Sequence, residues 1–256
     1  MSYTAKKFAI VNRILNNSQF DDNVLNIILT HYWNLLPKQK VLLDWIDPSK
    51  LFIDKLSENP NAIELLKYNI DMMCWNYLSS NENAIDLLEQ HQDRIDWWSI
   101  SSNPNAIKLL ENNLDKISWS ILSSNKNAIE LLANNLDKID WDRLSRNPNA
   151  INLLKDNKDK INWSSLSFNP NAITLLRDNL DKIDWYFLCK NINAINLLEQ
   201  HQDKIDWWSI SSNPNATKLL ENNLDKISWK VLSSNPNAIT LLRDHIDKIN
   251  WIKLSM

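Results

Sequence analysis

The sequence contains no glycine among its 256 residues. An average protein has about 7% glycine, so roughly 18 would be expected at this length. Glycine adopts a left-handed backbone conformation most easily, and Asn, Asp and His are the other residues that tolerate it best. The lack of glycine therefore predicts that any turn requiring this conformation is formed by Asn, Asp or His.

Cysteine is also scarce. Cys74 and Cys189 lie far apart and form neither a metal-binding nor a disulfide pattern, which is typical of a reducing intracellular setting. No apolar run approaches the length of about 18 residues that a helix needs to cross a bilayer. The N-terminal residues lack the apolar core and small-residue cleavage site of a signal peptide. We therefore expect an intracellular protein with no membrane association, metal ion or cofactor.

An excess of basic charge is missing as well. The chain has 28 Lys and Arg against 31 Asp and Glu, a net charge of −3 and a pI near 5.8. Nucleic-acid-binding domains usually show a basic excess or a basic stripe. The charge therefore predicts no nucleic-acid partner.

A catalytic pattern is not recognisable either. Without glycine there is no glycine-rich phosphate loop, and no Cys or His spacing suits zinc. His91, His201 and His245 fall at one recurring position, described below, and His31 has no acidic or serine partner near it in sequence. A triad assembled from distant parts stays open in principle, but it does not suit a chain whose units contact only their neighbours. We expect no enzyme activity and no catalytic, cofactor-binding or metal-binding residue.

What the sequence does contain is a repeat of 22 residues. Tryptophan marks every unit without a slip, at Trp75, Trp97, Trp119, Trp141, Trp163, Trp185, Trp207, Trp229 and Trp251. One unit has too few apolar side chains to offset the entropy of ordering its backbone, so the units must stack. We expect each indole ring to be a structural element that fills the interior between consecutive layers.

Residues 103–124 show how one unit is built. Asn103 followed by Pro104 predicts a helix N-cap and first helical residue. Ser118 predicts the N-cap of a second, shorter helix in which Trp119 and Leu122 share a face, of α or 3-10 type. The apolar face of the first helix is formed by Ala106, Ile107, Leu109 and Leu110.

Three further positions recur. The residue after the first helix is always Asn or His, as expected if it closes the helix in the left-handed conformation: Asn69, His91, Asn113, Asn135, Asn157, Asn179, His201, Asn223 and His245. The second Asn of each Asn-x-Asn turn, from Asn61 to Asn237, is expected to bond the backbone of the adjoining turn and form a ladder. The recurring Asp, from Asp71 to Asp247, is expected to form Asx-turns rather than a calcium site.

These elements predict an all-α fold. Residues 56–256 are expected to form an α-solenoid of nine units, and residues 1–55 a helical cap over its first unit. Residues 20–29 also resemble the opening of an F-box, the helical module that recruits ubiquitin ligases, although its usual Leu-Pro start is missing. A ubiquitin-ligase substrate adaptor is therefore an alternative function.

The unit Trp-x-x-Leu-Ser-x-Asn-Pro-Asn-Ala-Ile-x-Leu-Leu-x-x-Asn-x-Asp-Lys-Ile resembles the tryptophan-repeat proteins of giant DNA viruses over residues 56–256. The alternation of one α-helix with one short helix is also similar to the leucine-rich-variant solenoids, but the cysteines that hold their iron–sulfur cluster are missing. The viral resemblance implies a solenoid that works in the host cytoplasm or in the virion. It leaves open a scaffold for protein–protein interaction and a structural component of the virion.

The two positions after each tryptophan vary most between units. Large aromatic residues or arginine at these positions are typical of protein-binding surfaces, and the candidates are Tyr77, Trp98, Arg143, Tyr186, Phe187 and Trp208. The alternative is that some of them pack against the neighbouring unit. The sequence ends five residues after Trp251 with no capping helix, so we also expect self-association through this end, a swapped cap, or fraying of the last unit.

Overall fold

The computed structural model describes residues 51–67 and 70–255, and within these ranges all regular structure is helical. The predicted all-α solenoid is confirmed, because each 22-residue unit repeats the same helices and packs against its neighbours. Residues 1–50 of the predicted cap over 1–55, which include the F-box-like segment and His31, lie outside the described residues, as does Asn69.

Each unit contains two short α-helices. We name the first the leucine helix, and its copies are Ile63–Leu66, Ile85–Gln90, Ile107–Glu111, Ile129–Ala133, Ile151–Asp156, Ile173–Arg177, Ile195–Gln200, Thr217–Glu221 and Ile239–Arg243. We name the second the tryptophan helix, and its copies are Trp75–Ser80, Trp97–Ile100, Trp119–Leu122, Trp141–Arg146, Trp163–Phe168, Trp185–Cys189, Trp207–Ile210, Trp229–Leu232 and Trp251–Leu254.

A 3-10 turn joins the two helices in most units. Its copies are Ile70–Met72, Gln92–Arg94, Leu136–Lys138, Lys158–Lys160, Leu180–Lys182, Gln202–Lys204 and Ile246–Lys248. The sequence predicted two helices per unit, and this turn is an addition to them. The recurring Asp lies inside it.

The repeat begins slightly earlier than expected. The helix Ile53–Glu58 stands where a tryptophan helix would stand, and it packs against the helix Trp75–Ser80. Leu56 and Ser57 occupy the places that Leu78 and Ser79 have one unit later. The boundary expected between residues 55 and 56 therefore falls within a helix of the repeat.

The core is continuous along the described chain. One leucine of each leucine helix and one apolar residue of each tryptophan helix before Trp251–Leu254 are buried, as Leu154 and Leu166 illustrate. Because these residues belong to one cluster that runs through the units, no unit has a core of its own.

The expected N-cap at the Asn103 position is wrong. The leucine helix begins three residues after the proline position, at Ile107, and Ala106 precedes it. The Asn instead follows the preceding tryptophan helix: Asn147 is extended, with φ −72° and ψ 116°. Its side-chain oxygen accepts the N–H of Asn149 at 3.1 Å, which is an Asx-turn.

The predicted N-cap of the tryptophan helix is largely confirmed. In six units the side-chain oxygen accepts the backbone N–H three residues later: Asp96, Asp140, Asn162, Asp184, Asp206 and Asn250. Ser118, Ser228 and Cys74 make no such bond.

The left-handed conformation expected at the Asn and His positions is wrong. No described residue has a positive φ; His91, for example, has φ −132° and ψ 50°. The side chain closes the helix instead, because its nitrogen reaches the carbonyl oxygen four residues earlier. Asn157 Nδ2 donates to Leu153 O at 2.9 Å, and His245 Nδ1 lies 3.0 Å from Leu241 O. A fold without positive φ has no position at which glycine is required.

The expected Asx-turns at the recurring Asp are also wrong. Within the described ranges these carboxylates accept no backbone hydrogen bond, and they point to solvent. Several lie beside the following lysine, at 3.9 Å for Lys160–Asp159 and 3.5 Å for Lys204–Asp203. Such exposed pairs contribute little to stability.

The predicted ladder of second asparagines is confirmed. Asn171 Nδ2 donates to Pro148 O of the preceding unit at 2.9 Å, and Asn193 Nδ2 donates to Pro170 O at 3.0 Å. The same bond recurs at Asn83, Asn105, Asn127, Asn149, Asn215 and Asn237.

A row of buried serines was not predicted. Ser167 Oγ donates to Trp163 O at 2.8 Å and accepts the N–H of Asp184, in the next unit, at 3.0 Å. The other members of the row are Ser57, Ser79, Ser101, Ser123, Ser145, Ser211 and Ser233. Cys189 takes the serine place in one unit, and burial raises the pKa of its thiol to about 11.

Candidate protein-interaction surface

The recurring tryptophans are half-buried, which corrects the expectation that they fill the interior. Each of the first eight packs one side of its ring against the core, and Trp251 is 61% exposed. In most units the following unit covers the other side: Lys182 Nζ lies 4.8 Å from the ring centre of Trp163, and the His201 ring lies 5.2 Å from that of Trp185. The lysine and histidine positions of the repeat therefore cover the preceding indole.

The two variable positions after each tryptophan differ in environment. The first faces solvent, and Trp98, Tyr186 and Trp208 are 63%, 42% and 56% exposed. The second lies between neighbouring tryptophan helices, where Ser165 and Ser209 are buried. Only the first position is available to a partner in every unit.

The structure does not bring the six candidate residues together. Tyr77 lies in the first unit with Lys55 Nζ 5.6 Å from its ring centre, and Trp98 stands four units from Tyr186. Arg143 is exposed, with Nε 3.5 Å from the Asp140 carboxylate. These three are separate features of the surface.

The remaining three candidates do form one surface. Tyr186 and Phe187 meet edge to face with ring centres 5.3 Å apart. Their helix, Trp185–Cys189, packs against Trp207–Ile210, which carries Trp208 at the next solvent-facing position.

Phe168 adds a fourth aromatic residue that the sequence analysis missed. It ends the helix Trp163–Phe168, which packs against Trp185–Cys189, and it is 45% exposed. One unit earlier, the residues at the places of Phe168 and Phe187 are Arg146 and Ser165, which are in contact at 3.1 Å. The sequence does mark Phe168 as unusual, because most units have serine at the place that Phe168 occupies. We call Phe168, Tyr186, Phe187 and Trp208 the aromatic surface.

Positive charge accompanies the aromatic surface. Lys190 Nζ lies 4.2 Å from the ring centre of Tyr186 and 2.9 Å from its hydroxyl oxygen. Lys230 is exposed at the solvent-facing position one unit after Trp208. The nearby carboxylates cap their helices, since Asp184 accepts the N–H of Phe187 at 3.2 Å and Asp206 accepts the N–H of Ser209 at 2.6 Å. The surface therefore combines exposed aromatic rings with available cations.

A second group of polar residues lies two units earlier. Ser120 Oγ donates to Asp140 at 2.6 Å, and the N–H of Arg143 donates to the same carboxylate at 3.2 Å. Burial would raise the pKa of Asp140, but these hydrogen bonds and the Arg143 charge outweigh it and lower the pKa overall. This carboxylate is held by its own unit and its neighbour.

The described ranges contain neither a metal-binding cluster nor a membrane-spanning helix. No group of three or more His, Cys, Asp or Glu there could hold a metal ion, and no helix there is long and apolar enough to cross a membrane. Comparison with protein-family models, curated proteins and solved structures finds no significant match.

Proposed function

We propose that this chain is a non-enzymatic scaffold that binds another protein through the aromatic surface. The observation that carries the proposal is the clustering of exposed Phe168, Tyr186 and Trp208 in three consecutive units. The fold does not require aromatic residues at these places, because other units have serine, asparagine or aspartate there. Exposed aromatic clusters supply much of the energy of protein interfaces.

The partner that suits this surface is an extended protein segment with apolar and acidic residues. Apolar side chains would pack on the rings, and acidic side chains would pair with Lys190 and Lys230. Within the described chain, the nearby Asp184 and Asp206 accept hydrogen bonds from neutral groups and form no ion pair with Lys190 or Lys230. Following the resemblance to viral tryptophan-repeat proteins, we propose that the interaction takes place in the host cytoplasm or in the virion.

The test replaces the aromatic surface with residues from the chain's own other units. Phe168→Ser, Tyr186→Ser and Trp208→Ser introduce the serine of Ser124, Ser120 and Ser164 at equivalent positions. Peptides are selected on the wild-type chain from a displayed library, and their affinities for the triple variant are measured. Because each central aromatic contact contributes more than about 1 kcal/mol, we expect affinity to fall by at least about 100-fold.

The control is Trp98→Ser, which removes an aromatic residue of similar exposure four units away. It should leave the affinities unchanged, and circular dichroism should show both variants to be as helical as the wild type. Full affinity in the triple variant, or an equal loss in the control, would overturn the proposal.

A further inference from the structure

The aromatic surface contains an incomplete copy of a polar cluster found two units earlier. The earlier cluster consists of Asp142, Arg146 and Ser165, and residues 44 positions later occupy the same places. There Tyr186 replaces the aspartate, Lys190 replaces the arginine, and Ser209 retains the serine.

The earlier cluster is complete. Ser165 Oγ donates to an Asp142 carboxylate oxygen, and Arg146 Nε donates to Ser165 Oγ at 3.1 Å. One carboxylate, one hydroxyl group and one cation thus form a connected set, in which the hydrogen bonds are strengthened by charge.

The later cluster lacks the carboxylate. Lys190 Nζ lies 2.9 Å from the Tyr186 hydroxyl oxygen instead. Ser209 is fully buried, and its hydroxyl group has no hydrogen-bond partner within the described chain. A buried hydroxyl group without a partner is costly, and such groups are rare in folded proteins. A hydroxyl group and a cation therefore remain at this place without the anion that joins them two units earlier.

We propose that Tyr186, Lys190 and Ser209 form a subsite for the carboxylate of an aspartate or glutamate side chain of the bound partner. This inference rests on the proposed function, because the aromatic surface holds the rest of the segment. The incoming carboxylate accepts from Ser209 Oγ and from Lys190 Nζ, as the Asp142 carboxylate accepts from Ser165. Lys190 turns away from the Tyr186 hydroxyl group to do so, and half-exposed side chains change rotamer rapidly.

The subsite also specifies the neighbouring residue of the partner. Trp208 stands one unit along from Tyr186 on the solvent-facing position, so an apolar residue adjacent to the acidic one packs on its ring. An acidic residue next to an aromatic residue is the minimal segment that engages both.

The binding experiment compares two dipeptides that differ only in charge. N-acetyl-Trp-Asp-amide and its isosteric partner N-acetyl-Trp-Asn-amide are titrated into the full chain, and the indole N–H resonance of Trp208 is followed by NMR. We expect the aspartate dipeptide to bind about five- to tenfold more tightly, as for a charge-assisted hydrogen bond at a partly exposed site. Lys190→Met and Ser209→Ala should each reduce this preference. Tyr186→Asp should abolish it, because the chain's own carboxylate then occupies the subsite.

The outcomes separate this inference from the proposed function. If both dipeptides shift the Trp208 resonance of the wild type with equal affinity, the carboxylate subsite is overturned and the aromatic surface stays in place. An aspartate preference that persists in Lys190→Met would also overturn it. If neither dipeptide shifts Trp208 and the displayed library selects no peptide, both proposals fail.

A stability comparison tests the same subsite without a ligand. Ser165→Ala should lower the midpoint of thermal unfolding because it breaks an occupied cluster, whereas Ser209→Ala should leave it unchanged or raise it. In the Tyr186→Asp background, Ser209→Ala should become destabilising, because a carboxylate now bonds to the hydroxyl group. A destabilising Ser209→Ala in the wild-type background would show that the hydroxyl group already has a partner and would overturn the proposal.

Discussion

The side-chain amide of Asn169 donates to the carbonyl oxygen of Asn147, one unit earlier, at 3.0 Å. The same amide donates at 3.0 Å to Ser145 O as well, and the backbone carbonyl oxygen of Asn169 accepts from Asn191 Nδ2 at 2.8 Å. The same bonds recur from Asn103 to Asn235, where every such side chain is buried. A continuous column of amide groups therefore runs through the described units beside the apolar core.

We predict that Asn169→Ala destabilises the fold by about 2–3 kcal/mol, because it leaves the carbonyl group of Ser145 and the N–H of Asn171 without these partners. The Asn147 carbonyl oxygen loses one of its two bonds and keeps the one from the N–H of Ala150. The matched control is Asn171→Ala, whose side chain is exposed and makes one bond, to Pro148 O; it should cost about 1 kcal/mol or less. Urea unfolding gives both values, and hydrogen exchange at residue 171 should accelerate in Asn169→Ala. Equal costs for the two variants would contradict the assignment.

The tryptophans should differ in their contributions according to their exposure. Trp185→Ala removes a half-buried ring that contacts His201, and we expect a cost of about 2 kcal/mol, roughly half that of a fully buried tryptophan. Trp251 is 61% exposed, so Trp251→Ala should cost less than about 1 kcal/mol. Thermal unfolding followed by circular dichroism measures both, and a larger loss for Trp251→Ala would refute the packing argument.

Cys189→Ser should be tolerated, because it restores the hydroxyl group found at this place in neighbouring units. Stability near neutral pH should stay within about 1 kcal/mol of the wild type. Ser167→Ala, the control, loses the bonds to Trp163 O and from the N–H of Asp184 and should cost about 2 kcal/mol.

The raised pKa of Cys189 also predicts how the stability of the wild type and of Cys189→Ser should differ at alkaline pH. Burial raises the pKa of the Cys189 thiol from its ordinary value of 9.0 in the unfolded chain to about 11 in the fold. The contribution of the neutral thiol to the free energy of unfolding is therefore fully present below pH 9, and it is lost as the pH rises toward 11. Urea unfolding at several alkaline pH values should show a shallower decline for Cys189→Ser than for the wild type; identical declines would contradict the burial of the thiol.

Self-association remains a prediction, and four exposed apolar residues are the candidates for the contact. Ile239, Ile246, Trp251 and Ile252 form an exposed apolar face on the Trp251 unit. The double variant Ile246→Lys, Ile252→Lys introduces the residues of Lys158 and Lys230 at equivalent places, and it should be monomeric at concentrations where the wild type associates. Size-exclusion chromatography with light scattering measures this, and a monomeric wild type would refute the prediction.

The sequence was sufficient to predict the features that depend on periodicity. A 22-residue spacing of tryptophan, leucine and asparagine predicts stacked units, and the structure bears out the helices and the ladder of second asparagines. Six of the expected caps at the start of the tryptophan helices are also present. Asp and Asn at that place have one favoured local hydrogen bond, which their side-chain oxygen accepts from the backbone N–H three residues later.

Periodicity does not predict which hydrogen bond a side chain makes when several are possible. Asn and His suit both a left-handed backbone and a side-chain bond to a carbonyl group four residues earlier, and the second arrangement occurs. Serine after a helix is usual in loops, so the buried serine row was not distinguished from a turn.

The candidate surface was predicted in part. Trp98, Tyr186 and Trp208 are exposed as expected, but the second variable position turns between neighbouring helices because the helix advances by about 100° per residue. Phe168 was missed because only residues directly after each tryptophan were considered, whereas the fifth residue after it lies on the same helix face as the first.

The connection of every unit only to its immediate neighbours has a mechanical consequence. A tensile force applied at the two ends would act on the units in series, so the weakest would open first while the others stayed folded. Each opening would release 22 residues, or roughly 75 Å of extended chain. Such a molecule would keep two tethered objects joined while the gap between them widened stepwise.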